Sequence, residues 1–144
     1  MLFSIIIPAY NASKTIKKCL DSVDEQDFSD FETIVINDCS TDNTQEIVNQ
    51  YKVRQIVLER NLGPAAARNV GIKKAKGEII IFIDSDVTFR DSNALSKLAK
   101  IFKERPEIDE DVDISFSVDS IEVMESELKK GGSEYEIIES VGLG

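Results

Sequence analysis

Two aspartates spaced one apart, Asp84 and Asp86, close the segment Glu78-Ile79-Ile80-Ile81-Phe82-Ile83-Asp84-Ser85-Asp86-Val87. Hard carboxylate oxygens aimed at one point suit Mg²⁺ or Mn²⁺, commonly with the phosphates of a nucleotide completing the shell. Alternate residues of an extended segment point the same way, so the two carboxylates converge if the backbone stays extended past Ile83. The same three residues also fit an ordinary polar turn, since Asp and Ser favour turns. Arg68 is a second candidate. It falls in the first or second turn of an Ala-rich helix opened by Gly63-Pro64, where a guanidinium can join the helix N-terminus in facing an anion. A surface arginine on a packing helix is the plain alternative. The chain has no histidine. That removes Ser-His-Asp and Cys-His catalysis and His-based zinc sites, and leaves acid–base work mainly to carboxylates.

These side chains need rigid elements behind them. The apolar run Ile79–Ile83 is short, unbroken and rich in β-branched residues, the signature of a strand buried on both faces. Leu2–Pro8 reads as a first strand of the same kind, ended by Pro8 because proline cannot donate to a ladder. Phe31–Asn37 is a second strand and Arg54–Leu58 a short third. Between them, Ile16, Cys19, Leu20 and Val23 have helical spacing, with Asn11 or Ser13 available as a cap. Ser40 or Thr41 would cap a helix carrying Ile47, Val48 and Tyr51. The helix bearing Arg68 closes near Lys73, Lys74 and Lys76, with Gly77 as its stop. Asp91 or Ser92 opens a helix with Leu95, Leu98, Ala99 and Phe102, ended by Pro106. Val112, Ile114, Phe116 and Val118 alternate with polar residues and read as a strand with one wet face. Ile121–Lys130 fits a helix or a continuing strand, and Tyr135–Ser140 a last short strand. Strands alternating with helices predict an α/β fold with a mostly parallel central sheet and flanking helices. Ligands of such sheets bind beyond the carboxyl ends of the strands. Tyr10, Asp38, Asp84 and Asp86 all follow strands at that edge.

Composition bounds the remainder. A chain of 144 residues reads as one domain, long enough to bury a core without staples. The net charge of −10 is unevenly placed: residues 107–144 hold 12 of the 27 acidic side chains against Lys129 and Lys130, leaving 15 acidic and 15 basic side chains in 1–106. Neither part has the basic patch of a nucleic-acid binder. Glu110-Asp111 reads as a solvated loop. Residues 1–106 are thus expected to form the α/β core and 107–144 an acidic strand and helix segment. Cys19 and Cys39 are too few for a disulfide scaffold and fit a reducing cytoplasmic setting. No run approaches the roughly 20 apolar residues of a membrane span, which leaves only a peripheral membrane association open. The apolar N-terminus lacks a basic region and a cleavage site, and reads as a strand in place of a signal peptide.

Four motifs carry a resemblance. Ser4-Ile5-Ile6-Ile7-Pro8-Ala9-Tyr10-Asn11, Ile34-Val35-Ile36-Asn37-Asp38-Cys39-Ser40-Thr41-Asp42-Asn43-Thr44, Arg60-Asn61-Leu62-Gly63-Pro64-Ala65-Ala66-Ala67-Arg68-Asn69 and Gly77-Glu78 through Asp84-Ser85-Asp86 occur in order. Together they resemble the donor-binding half of family 2 glycosyltransferases over about residues 2–106. The resemblance implies a GT-A, Rossmann-like half that binds a nucleotide-diphosphate sugar and transfers the sugar to an acceptor hydroxyl of a glycan, lipid or protein with inversion. It implies that Pro8, Ala9 and Tyr10 line the base pocket and that Asp38 accepts a hydrogen bond from the base. It implies that Arg68 reaches the base or diphosphate and Asp84 the ribose or a metal-bound water. Asp86 would ligate Mn²⁺ or Mg²⁺, which stabilises the leaving group. Asn37 stands where the family often has a second aspartate, and Cys39 where it often has glycine. Family members continue into an acceptor-binding half that supplies a carboxylate base; no residue here is assigned that role. A binding module without transfer, or a structural domain whose acidic tail makes a partner or oligomer contact, are the rival expectations.

Overall fold

Ile5, Ile6 and Ile7 have no exposed surface. Three consecutive buried side chains on a strand require cover on both faces, and that requirement shapes the sheet. The computed structural model describes residues 1–104, 120–129 and 132–142. Among them the order is β1 (Phe3–Ala9), α1 (Ile16–Asp24), β2 (Phe31–Asn37), α2 (Thr44–Val48), β3 (Arg54–Val57), α3 (Pro64–Ile72), β4 (Ile79–Phe82), α4 (Ala94–Glu104), β5 (Ser120–Lys129) and β6 (Gly132–Gly142). The sheet runs β3-β2-β1-β4-β5-β6. The β1–β2, β2–β3 and β1–β4 pairs are parallel, and β5 and β6 add antiparallel strands beyond β4. This is the expected mostly parallel α/β architecture in its first four strands.

The two faces of β1 have different cover. Phe3, Ile5, Ile7 and Ala9 pack with Ile16, Cys19, Leu20 and Val23 of α1 and Leu95, Leu98 and Ala99 of α4. Ile6 packs on the other side with Ile34, Ile36, Ile80, Phe82 and Ala67 of α3. Each fully buried Ile or Leu contributes on the order of 1.5–3 kcal/mol. The chain steps outward from β1 to β3, then returns by α3 to place β4 against the free side of β1. The crevice above β1 and β4 is therefore the point where strand order reverses, the usual ligand position in such sheets.

Several local expectations need correction. Pro8 does not end β1, which continues to Ala9 opposite Asn37. Ile6 O accepts from Ile83 N–H on the β4 side, so two residues on, Pro8 also faces β4. Pairing with β4 has ended by then at Ile6–Phe82, and no ladder bond is lost to the missing N–H. The residues that cap α1 and α2 are Thr15 and Asn43, neither through a side-chain hydrogen bond, in place of Asn11 or Ser13 and Ser40 or Thr41. Tyr51 lies past the end of α2 but still packs on the core. Helix α3 ends at Ile72 with Lys73 as C-cap, so Gly77 is not its stop. Of Ile121–Lys130, the described residues 121–129 are strand, and the last strand is longer than Tyr135–Ser140. The Val112–Val118 strand and the Glu110-Asp111 loop lie outside the described residues. No helix among the described residues is long and apolar enough to cross a membrane.

Gly77 is needed for close approach. A Cβ there would sit 2.5 Å from the carbonyl carbon of Phe3 and 2.5 Å from the nitrogen of Ser4. At Gly71, on α3, a Cβ would meet the Ile6 side chain, Cγ2 at 2.5 Å. A side chain can turn aside, whereas the β1 backbone is fixed by ladders on both sides. Helix propensity also repays part of the cost at Gly71. Gly77→Ala is therefore expected to lose about 2–3 kcal/mol in urea unfolding, and Gly71→Ala at least about 1 kcal/mol less. Equal losses would show that the backbone contact is not the limiting one.

Candidate functional site

Loops at the carboxyl ends of β1, β2 and β4, with the start of α3, enclose an open cleft of about 750 Å³. Pro8, Ala9, Tyr10, Asp38, Arg68, Asp84 and Asp86 all line it, so the structure brings every proposed site residue to one place. Asn11, Ala12, Thr15, Asn61, Gly63, Pro64, Ala67 and Ser85 line it too. Gly63-Pro64 was visible as a helix opening, but nothing in the sequence marked Thr15 as a wall.

The first loop presents an aromatic ring. Tyr10 is 52% exposed, and its neighbours on both sides are held. Ala9 O accepts from Asp38 N–H at 2.8 Å. Asn11 donates its N–H to Ser40 Oγ at 3.0 Å and accepts from Thr41 N–H at Oδ1 at 2.8 Å. Asn11 sits at φ 47°, a left-handed turn that Asn tolerates better than most residues. A second stitch joins the same loops: Asp42 accepts from Ser13 N–H at Oδ2 and from Thr44 N–H and Oγ1–H at Oδ1. Thr44 Oγ1 in turn accepts from Ala12 N–H at 2.8 Å.

Asp38 is 3% exposed, and both of its oxygens are engaged. Oδ1 accepts from Leu62 N–H and Oδ2 from Gly63 N–H, each at 2.8 Å. Gly63 takes φ 89°, where a Cβ would be strained, and is the N-cap of α3. Pro64 follows at the first helical position, as its fixed φ favours.

Arg68 in the second turn of α3 donates from Nη2 to Asp84 Oδ1 at 2.8 Å. Its guanidinium carbon lies 5.8 Å from the centre of the Phe82 ring, within cation–π range. Nε is buried and has no hydrogen-bond partner. Asp84 is thus an ion-pair partner of Arg68, while Asp86 is exposed and makes neither a hydrogen bond nor a salt bridge among the described residues. The backbone does not stay extended past Ile83. Val87 N–H donates to Asp84 O at 3.0 Å, so Asp84–Val87 is a turn. Strand alternation therefore does not align Asp84 and Asp86; a turn brings both to the cleft instead.

Cys19 lies beneath this turn, its Sγ 3.7 Å from Asp84 O. Burial, then the negative charges of Asp86 and Asp84, push its thiol up to about 12. It stays a thiol at neutral pH and is no nucleophile. No group of three His, Cys, Asp or Glu side chains that could hold a metal occurs among the described residues.

The strand order and the cleft at its reversal define a Rossmann-like α/β domain of the GT-A type. The chain belongs to glycosyl transferase family 2, whose family model matches residues 4–137. It is 45% identical over 93 residues to the poly(ribitol-phosphate) β-N-acetylglucosaminyltransferase TarS of Staphylococcus aureus strain Mu50, across 60% of this chain and 16% of that enzyme. It superposes with TM-score 0.71 and 40% identity on S. aureus TarS 1–349 in complex with UDP-GlcNAc, covering 74% of this chain and 32% of that one. The mannosyltransferase PcManGT from Pyrobaculum calidifontis, in complex with GDP-Man and Mn²⁺, matches with TM-score 0.64 and 27% identity over 69% of this chain and 32% of that one. The chain thus spans well under half the length of these relatives.

Asp42 supplies a pH test. Partial burial pushes its carboxyl up, but the hydrogen bonds from Thr44 and Ser13 outweigh that and hold it well below the usual range. A depressed folded value means stabilisation that is complete above the unfolded value, about 3.9, and lost as pH falls below it. Asp42→Asn is expected to cost about 2 kcal/mol at pH 7, with the gap to wild type narrowing between pH 4 and pH 2 in urea titrations. A gap that stays constant would rule out the charged acceptor as its origin.

Proposed function

We propose that this chain is the donor-binding half of a glycosyltransferase that uses a UDP-sugar and a divalent cation. The observation that carries the reading is the convergence of Tyr10, Asp38, Arg68, Asp84 and Asp86 from four separate elements on one cleft. In it, the exposed Tyr10 ring stacks on the base, with Pro8 and Ala9 beside it. Asp38 has lone pairs left for a base N–H, since a carboxylate offers about four acceptor sites and two are in use. Arg68, paired with Asp84, lines the same cleft as Asp86 and serves the base or the diphosphate. UDP is preferred because the S. aureus relative at 40% identity was solved with UDP-GlcNAc.

Charge supports the cation. The cleft-lining residues carry Asp38, Asp84 and Asp86 against Arg68, a formal balance of −2. A diphosphate entering alone meets net repulsion. Mn²⁺ or Mg²⁺ on the unpaired Asp86 cancels that balance, and its hard oxygen donor suits either ion. When bound, the cation supplies charge neutralisation on the departing diphosphate. Asp84 is committed to Arg68 and Asp86 to the cation, so neither serves as the base for the acceptor hydroxyl. Inversion at the sugar follows from the family reading, with a hydroxyl of a glycan, lipid or protein as the acceptor. The partial span of the relatives makes donor binding the property to test first.

A ligand bound only by the folded state raises its stability by about 2.7 kcal/mol at a hundredfold excess over Kd, roughly 8 °C in Tm for a domain of this size. UDP with Mn²⁺ is expected to give a shift of that order. UDP alone should give much less, and Asp86→Ala should abolish the Mn²⁺-dependent part. No shift in the wild type, or an undiminished one in Asp86→Ala, overturns the reading.

A further inference from the structure

Three consecutive residues at the end of β2 hold most of the segment that leads into α3. Asn37 O accepts from Leu58 N–H at 2.8 Å. Cys39 Sγ lies 3.6 Å from Glu59 O. Between them Asp38 closes on Leu62 and Gly63 with one oxygen each, at 2.8 Å. These residues lie 24 and 25 positions away along the chain. Gly63 is the residue from which α3 starts, and Arg68 stands one turn further on, paired with Asp84.

We propose that Asp38 is a positioning residue: its carboxylate clamps the Leu62 and Gly63 amides, fixes the start of α3, and so sets Arg68 against Asp84 before any ligand arrives. This adds to the base contact in the proposed function and rests on that reading only for its ligand-binding consequence. The geometry is specific to a carboxylate. Two adjacent N–H donors need two acceptor oxygens on one short, planar group, and charge strengthens both bonds. An asparagine offers one oxygen and turns an NH₂ group toward the second N–H, which leaves a donor facing a donor. Burial of the Asp38 side chain raises the cost, because a polar group left there without a partner loses its desolvation energy.

The clamp separates from a base contact by experiment. Amide hydrogen exchange in the nucleotide-free protein is expected to show Leu62 and Gly63 protected in wild type. Protection should fall at least tenfold in Asp38→Asn and Asp38→Ala, while Ile6 and Val35 keep theirs and report an intact sheet. Exchange at Leu62 and Gly63 that is unchanged in both variants overturns the clamp, whatever the nucleotide result. The second readout is binding of ribose 5-diphosphate with Mn²⁺, a probe without a base. Loss of affinity for it in Asp38→Asn, of about tenfold, is expected of a residue acting through Arg68. Weakened UDP binding with the abasic probe unaffected would mean that Asp38 acts on the base alone and would overturn the positioning role. The exchange experiment uses no ligand, so failure of the donor-binding reading leaves it interpretable.

Discussion

A strand buried on both faces carries a polar side chain only where it is satisfied internally, as Ser4 of β1 is by Glu32 and the Gly77 amide, and β1 and β4 are such strands. Ile5, Ile6 and Ile7 and then Ile80 and Ile81 have no exposed surface. The polar residues the site needs can be offered only beyond the last ladder bond, where the chain leaves the sheet. That constraint puts Tyr10 after Ala9, Asp38 after Asn37, and Asp84 and Asp86 after Phe82. The reversal of strand order between β2 and β4 then keeps those three exits side by side. The cleft is a consequence of how the core is covered, and its residues cannot be moved without moving a central strand.

The three aspartates of the cleft are chemically alike but differently employed. Asp38 is buried and takes two backbone donors. Asp84 is part-exposed and takes the Arg68 guanidinium. Asp86 is exposed and takes neither a hydrogen bond nor an ion pair among the described residues. The Arg68–Asp84 pair has side-chain exposures of 30% and 47%, so as a stabilising interaction it ranks with surface pairs, at about 0–1 kcal/mol. Its consequence is geometric. It directs Asp84 toward α3 and leaves Asp86 as the carboxylate open to a cation.

The parts of this arrangement legible in the sequence are those set by local pattern. Phe31–Asn37 was delimited to the residue, and the Ile79–Phe82 run to within one, because continuous β-branched runs have few other uses. The site residues could be placed at one edge because each follows such a run. What escaped depends on contacts distant in sequence. Nothing near Asp38 announces partners at Leu62 and Gly63. Nothing near Asn11 shows that its side chain serves Thr41, 30 positions away, in place of capping α1. Gly77 looked like a helix stop, yet its reason lies in Phe3 and Ser4. The turn at Asp84–Val87 was open to a sequence reading as either turn or extended chain, and only the bond from Val87 decides it.

The departure at Asn37 is explained by the same bonds. Asn37 is 1% exposed and stands next to Asp38. Its Oδ1 accepts from Ser40 N–H at 2.9 Å, and its Nδ2 donates to Gln55 Oε1 at 3.4 Å. An aspartate here would lose the donor and bury a second charge beside Asp38, at a real desolvation cost. Gln55, on β3, also donates to Asn49 Oδ1 and Gln45 O, so the Asn37 side chain ties the site loop to the outer strand and to α2. With asparagine at this position, Asp38 remains the one carboxylate at the end of β2, and its two amide donors need not compete with a neighbouring anion. The substitution therefore strengthens the case that the negative charge at this edge is placed residue by residue: one carboxylate for the loop, one for the guanidinium and one left open.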